Sequence, residues 1–424
     1  MSDQTSTIPK GWKMTTLGKV ADKITKGTTP TTIGGEFVKA GINFIKAESI
    51  NDDGTFMRNK FSYINQEIDN RMVRSRLAEN DILFSIAGVI GRVAIVTKKI
   101  LPANINQALA IIRPTSGEIY FKYLFYFLLD PRQKALANSG VAQSVQANVN
   151  LAQVGDIKMS LPSLSEQHAI AAVLSSLDDK IELLREQNKT LEATAQAIFK
   201  EWFEDFNFPN ATGKMIDSEL GKIPEGWRVG KIEDLCKKLA SGGTPSTSNT
   251  DYYGGNIDWF STKELQDDYI FASDKKITKE GLENSSAKIF PKGSIVMAIY
   301  AAPTVGRLGI LGKEATFNQA ACGFVANEEI CSNEYVYLLL HFLRDAFNGL
   351  ANGAAQQNLN VGLVKNFAIT LPQKTVMDQF NLVIVPIFQK ILNNTSQIQT
   401  LSTLRDTLLP KLMKGEVRVK GFNG

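Results

Sequence analysis

Three cysteines and two histidines are all that this 424-residue chain offers to thiol, imidazole or transition-metal chemistry. Cys236, Cys322 and Cys331 form no CxxC pair, and with only His168 and His341 beside them a zinc site lacks ligands. Reduced thiols and no bound metal are expected. His168 stands at the start of one helical pattern and His341 inside a Tyr- and Leu-rich one, places where an imidazole packs or caps. The carboxylate pairs Asp52-Asp53 and Asp267-Asp268 have the setting of loop charges. Gly88-Val89-Ile90-Gly91 and Gly242-Gly243-Thr244-Pro245 are glycine-rich, but neither is a GxxxxGK[ST] or a GxGxxG between a strand and a helix. A methyltransferase acting on an exocyclic amine would need such a cofactor loop and an Asn/Asp-Pro-Pro-aromatic motif, and neither occurs. Catalysis by this chain alone is not expected.

What remains is the chemistry of recognition. Gln143, Gln146 and Asn148, beside the hydroxyl of Ser144, with Gln356, Gln357 and Asn358 in the second half, carry amides able to contact an adenine edge in bidentate fashion, and Arg92 and Arg307 can reach guanine or phosphate. Such amides also close turns. Residues shared by two copies suit a scaffold better than a sequence reader, so base readers are expected where the copies diverge, in 51–76 and 266–288. The candidate contacts to nucleic acid are Lys26, Thr28, Lys46, Arg58, Lys60, Arg71, Arg74, Arg92, Gln143 and Ser144 in the first half. In the second half they are Lys263, Lys275, Lys276, Lys288, Arg307, Gln356 and Gln357. The net charge of +4 is small, yet it is unevenly spread. Residues 8–162 hold 20 Lys and Arg against 12 Asp and Glu, residues 163–206 hold 4 against 9, and residues 223–372 hold 14 against 16. The first segment is suited to lie on phosphate; the second needs a local basic face or a partner.

The elements that must position these groups are set by one repeat. Ile170, Leu174, Leu177, Ile181, Leu184, Asn188, Leu191, Ala195, Ile198 and Trp202 alternate spacings of four and three, which is a coiled-coil seam. Phe380, Ile384, Ile387, Ile391, Asn394, Ile398, Leu401, Arg405, Leu408 and Leu412 repeat the same ten positions. If the two helices run antiparallel, setting Asn188 opposite Asn394 gives every seam position a partner, Trp202 facing Phe380 and Ile170 facing Leu412. Leu177 then falls opposite Arg405, whose guanidinium is expected at the seam edge toward Asp178. The shared seam, residues 170–202, spans about 50 Å at a helical rise of about 1.5 Å per residue. Pro386 and Pro410 are expected to kink the second helix.

Ahead of each helix the chain also repeats itself. Ile8-Pro9-Lys10-Gly11-Trp12 returns as Ile223-Pro224-Glu225-Gly226-Trp227. Gly27, Thr29 and Pro30 return as Gly242, Thr244 and Pro245, and Asn106-Gln107 as Asn318-Gln319. Strands are expected at 42–47, 81–87, 92–97 and 109–113 in the first copy, and at 257–261, 294–300 and 307–311 in the second. Helices are expected at 119–129 and 333–344. The predicted fold is α+β: two similar mixed α/β domains joined by two long antiparallel helices in a pseudo-twofold internal repeat. The segments are 1–162, a central helix 163–206, a polar linker 207–222, 223–372, a C-terminal helix 373–415 and a tail 416–424. No apolar run of membrane-spanning length and no signal-peptide pattern occurs, so a cytoplasmic protein is expected.

This order of domain, helix, domain, helix resembles the specificity subunits of Type I restriction-modification systems. The resemblance rests on IPKGW and IPEGW, on the loops 26–30 and 241–245, on the helix starts LPSLSEQHAI and LPQKTVMDQF, and on the tail LLPKLMKGE. It covers essentially the whole chain. The second helix start has Met377-Asp378-Gln379 where the first has Ser165-Glu166-Gln167. The resemblance implies a non-catalytic subunit whose two target-recognition domains each read half of a split site in double-stranded DNA. It implies that the helices set the gap and dock two adenine-N6 methyltransferase subunits, with restriction and translocase subunits joining the full complex. S-adenosylmethionine, ATP and Mg would serve those partners and not this chain. A two-headed protein-binding scaffold that never touches DNA is the competing expectation.

Overall fold

Strands β1 (Lys13–Thr16) and β9 (Lys158–Leu161) pair antiparallel, with Lys13 opposite Leu161, and so join the two ends of the first repeat just before its long helix. The computed structural model describes residues 8–133, 135, 148–300, 305–352 and 359–422. They form two compact units, Met1–Ile181 with Gln399–Gly424, and Glu182–Ile398.

In the first unit, β2 (Ala21–Lys26), β3 (Ile42–Ile45), β4 (Ser62–Ile64), β5 (Ile82–Ser85), β6 (Val93–Ile95), β7 (Ala103–Ile105) and β8 (Leu109–Pro114) build two sheets, in the orders β2-β8-β5-β6 and β4-β3-β7. Helices α1 (Gln66–Arg71), α2 (Phe121–Leu129) and α3 (Leu151–Gly155) flank them. Strand β5 is buried on both faces, which is why Ile82-Leu83-Phe84 is continuously apolar and does not alternate. Ile82 and Phe84 join a core with Ile112, Tyr123 and Leu124 of α2, while Leu83 joins another with Ile45, Ile105 and Ile111.

The second unit repeats this topology. After its helix segment comes a hairpin, β10 (Met215–Ser218) and β11 (Gly221–Pro224), within and just after the stretch whose polar composition predicts a linker. Met215, Ile216 and Asp217 are all exposed, so no alternation marks β10 as a strand. Strands β12 (Arg228–Lys231) and β21 (Ala368–Leu371) reproduce the β1–β9 pair. Between them lie β13 (Cys236–Ser241), β14 (Tyr253–Phe260), β15 (Asp268–Ile270), β16 (Lys275–Ile277), β17 (Ile295–Ala298), β18 (Leu308–Leu311), β19 (Thr316–Phe317) and β20 (Ala321–Ala326). The order β13-β20-β17-β18 matches β2-β8-β5-β6, with β15 added at one edge, and β16-β14-β19 matches β4-β3-β7.

The long helices are α4 (Leu164–Phe203) and, after α5 (Lys279–Glu283), α6 (Asn333–Phe342), α7 (Arg344–Asn352) and α8 (Val361–Lys365), α9 (Lys374–Lys414). Helix α9 continues through both Pro386 and Pro410. In the second unit Asn394 Nδ2 donates to Asn188 Oδ1 at 2.9 Å, and Trp202 lies 5.5 Å from Phe380 between ring centres. In the first unit Arg405 Nη1 donates to Asp178 Oδ1 at 2.9 Å, while Ile170 and Leu174 share a core with Leu409 and Leu412. Each unit thus holds its helix segments antiparallel in the register with Asn188 opposite Asn394.

The two units close differently. Trp12 Nε1 donates to buried Glu166 Oε2 at 3.0 Å, and Arg418, from the tail beyond α9, grips the same carboxylate at 2.7 and 2.8 Å. Trp227 instead stacks on Phe208 at 5.4 Å and meets Phe203 and Phe206.

Candidate nucleic-acid interface

Among the basic candidates of the first unit, three come together around one hydroxyl. Ser49 Oγ accepts from the Lys46 backbone N–H at 3.4 Å and donates to the Lys60 carbonyl at 3.2 Å, which sets Lys46, Arg58 and Lys60 on one pair of short turns. Arg58 and Lys60 are exposed, and Lys46 Nζ stands 5.0 Å from the Phe37 ring centre. A second basic group gathers Arg71, which donates to the Ile33 carbonyl, with Arg74, whose carbonyl accepts from Lys23 Nζ at 2.7 Å. Lys26 is exposed at the end of β2, and the Thr28 backbone N–H donates to the Ile105 carbonyl at 3.3 Å. Arg92 is drawn inward: its Nε lies 3.5 Å from Asp52 Oδ1 and its backbone N–H donates to Ser85 Oγ.

In the second unit Lys275 and Lys276 line a cavity of about 430 Å³ with Thr247, Tyr253, Gly254 and Trp259. Tyr253 and Trp259 meet edge to face at 6.2 Å, and Trp259 Nε1 donates to the Gly243 carbonyl at 2.8 Å. Lys263 is exposed on the short turn that Ser261 and Glu264 cap. Lys288 is exposed near Lys238, whose ammonium is held below its usual range by burial and then by the Lys288 charge. Lys238 Nζ sits 4.0 Å from the Phe290 ring centre and donates to the Ile289 carbonyl. Arg307 is half-buried beside the start of β18. Gln143, Ser144, Gln356 and Gln357 lie outside the described residues.

The groups that could have done other chemistry are accounted for by packing. Burial pushes the thiols of Cys236 and Cys331 up to about 12, far from a reactive thiolate. His168, expected to pack or cap, is exposed and stacks on Tyr120, the residue just before α2, at 3.8 Å between ring centres. His341 lies beside Gln196 and is held below its usual range by burial, then by Arg344. Among the described residues no group of three or more His, Cys, Asp or Glu is placed to hold a metal, and no helix is long and apolar enough to cross a membrane.

Both units share a contact that no charge marks in the sequence. Thr29 Oγ1 donates to Gln107 Oε1, and Thr244 Oγ1 donates to Gln319 Oε1. The signal was in the repeat, in which Gly27-x-Thr29-Pro30 and Asn106-Gln107 both return, but no spacing says that the two stretches meet.

The family described as Type I restriction modification DNA specificity domain matches residues 9–193 and again 224–404. The chain is 27% identical over 427 residues to the Type I restriction enzyme MjaIX specificity subunit of Methanocaldococcus jannaschii, an alignment covering 97% of this chain and 95% of that one. It is 26% identical over 437 residues to the HindI specificity subunit of Haemophilus influenzae, covering 86% and 93%. Among solved structures, the S subunit of the Type I restriction-modification system of M. genitalium superposes with a TM-score of 0.58 at 14% identity, covering 95% of this chain and 96% of that one. At that identity the likeness bears on the fold.

Proposed function

The chain belongs to the Type I restriction modification DNA specificity family, and on that premise we propose that it is the subunit that gives such a complex its target, each unit reading one half of a split DNA site. The observation that carries this reading is the duplication: one family match falls in each half of the chain, and each unit builds two sheets in matching strand order, the second with β15 added at one edge. A protein with two copies of one reading head is suited to two separated sequences. The basic turns at Lys46–Lys60 and the Lys275-Lys276 cavity supply phosphate contacts, and the divergent stretches 51–76 and 266–288 supply base contacts.

In this reading the long helices dock two adenine-N6 methyltransferase subunits in the cytoplasm, and restriction and translocase subunits complete the assembly. The chain itself transfers no methyl group; S-adenosylmethionine, and ATP with Mg²⁺, are used by its partners. The test is selection from randomised duplexes by the full chain with its methyltransferase subunits. A target in two defined halves with a fixed gap is expected. A single unsplit target overturns the split-site reading, and no sequence preference overturns DNA recognition and leaves a protein-binding scaffold.

A further inference from the structure

Each unit presents one exposed polar contact built in the same way on the same platform. In the first unit the loop after β2 lies so close to the turn between β7 and β8 that a Cβ on Gly27 would stand 2.0 Å from the Ile105 carbonyl oxygen and 2.4 Å from that of Asn106. In the second unit a Cβ on Gly242 would stand 2.1 Å from the Phe317 carbonyl oxygen and 2.5 Å from that of Asn318. Only glycine permits this approach. Two residues on, the threonine hydroxyl reaches the glutamine that follows the asparagine: Thr29 to Gln107, and Thr244 to Gln319.

Packing does not explain why both units keep this pair. Gln107 and Gln319 are exposed and fill no core. A hydrogen bond at an exposed site adds little to folding, because water replaces it. The pair does fix an orientation. An amide has one carbonyl and one NH2 group; with the threonine hydroxyl on the carbonyl oxygen, the NH2 group is the end left to donate. The neighbouring positions differ between the units: Lys26 against Ser241, Thr28 against Gly243, and Thr31 against Ser246. A contact common to two units that read different half-sites cannot carry the sequence of either. What two half-sites of different sequence have in common is the sugar-phosphate backbone and, in the reading above, an adenine to be methylated; an exposed amide two residues from a close backbone approach suits the former, and readout of the adenine is an outcome of the test below.

We infer that Thr29–Gln107 and Thr244–Gln319 are matched backbone anchors, each presenting its amide donors to a DNA phosphate and thereby fixing the register in which divergent neighbours read bases. This rests on the DNA-recognition reading above and names the contact by which each unit would hold its half-site.

Gln107→Glu and Gln319→Glu separate this role from a structural one. A glutamate keeps an oxygen for the threonine hydroxyl but turns the outward donor into an anion facing phosphate. The probe is the duplex selected by the wild-type chain with its methyltransferase subunits. Each Glu variant is expected to bind about tenfold or more weakly, with an unchanged thermal midpoint and an unchanged ratio of selected to randomised duplex. Gln107→Ala and Gln319→Ala are expected to weaken binding several-fold at every salt concentration with the salt slope unaltered, since a neutral donor releases no counterion. Wild-type affinity in the Glu variants overturns the inference. So does relaxed preference at one base pair, which would make the glutamine a base reader, and so does a lowered thermal midpoint that accounts for the lost binding. A wild-type complex with no preferred duplex overturns both this inference and the reading beneath it.

Discussion

Glu192, half-buried on α4, shows how a single group can feel the unit it belongs to. Burial, and then the negative charges of Asp268 and Asp267, push its carboxyl up to about 7 from an ordinary 4.5. The folded protein therefore resists its ionisation. Whatever stability this group contributes is complete below about pH 4.5, is lost as pH rises toward 7, and above that the ionised carboxylate is a net cost. In a closed site the shift would amount to about 3 kcal/mol; for a half-buried side chain, solvent screening reduces it to about 1–2 kcal/mol. Glu192→Gln is expected to raise the urea midpoint at pH 8 and to leave it nearly unchanged at pH 4.5, and equal gains at both values would show the charge to be irrelevant. None of this was legible in the sequence, where Glu192 and Asp268 are 76 positions apart. Arg405 and Asp178 were legible across a greater distance, because a heptad register is a one-dimensional rule and the Arg405–Asp178 pair follows from it.

Among the elements, the helix seam is the best specified, and its polar layer is the reason. Asn188 Nδ2 donates to Thr395 Oγ1 at 3.0 Å while Asn188 Oδ1 accepts from Asn394, and the Thr395 hydroxyl lies 3.3 Å from Asp268 Oδ1 at the start of β15. The layer thus ties both long helices to a sheet edge of the second unit. Asn188→Leu would leave the Asn394 amide buried with a lost acceptor, a cost of about 1–3 kcal/mol. The double variant Asn188→Leu/Asn394→Leu removes both partners and is expected to recover most of that loss, at the expense of the pairing that opposes a one-heptad slip. Chemical denaturation of the two single variants and the double closes the cycle; additive losses would mean that the two amides do not act together. The sheets were less legible than the seam. Apolar runs such as Ile82-Leu83-Phe84 marked their strands, but β10, exposed along most of its length, carried no pattern to read.

At the scale of the whole molecule, the repeat offset disclosed two like halves, yet the compact units divide each long helix between Ile181 and Glu182 and between Ile398 and Gln399. A sequence segmented by element type keeps each helix whole, since only packing shows which turns belong to which unit. In the second unit that packing is aromatic: Tyr335 meets Phe199, Phe203 and Phe380, Tyr337 meets Phe388, and Trp227 meets Phe203. These contacts join the body at 223–372 to the helix turns at 199–203 and 380–388, and they use no residue of the first unit. Replacing 223–372 with the corresponding body of a relative that keeps aromatic residues at positions 227, 335 and 337 should therefore fold on the existing helices. Selection from randomised duplexes should then return a target with one half changed and the other half and the gap retained. If both halves change, reading in one unit depends on the other, and the independence argued from these self-contained contacts fails. The same exchange with Tyr335 and Tyr337 both replaced by Ala removes two buried rings, each costing about 3–5 kcal/mol. That variant is expected to lose the second half-site while thermal unfolding of the first unit stays in place.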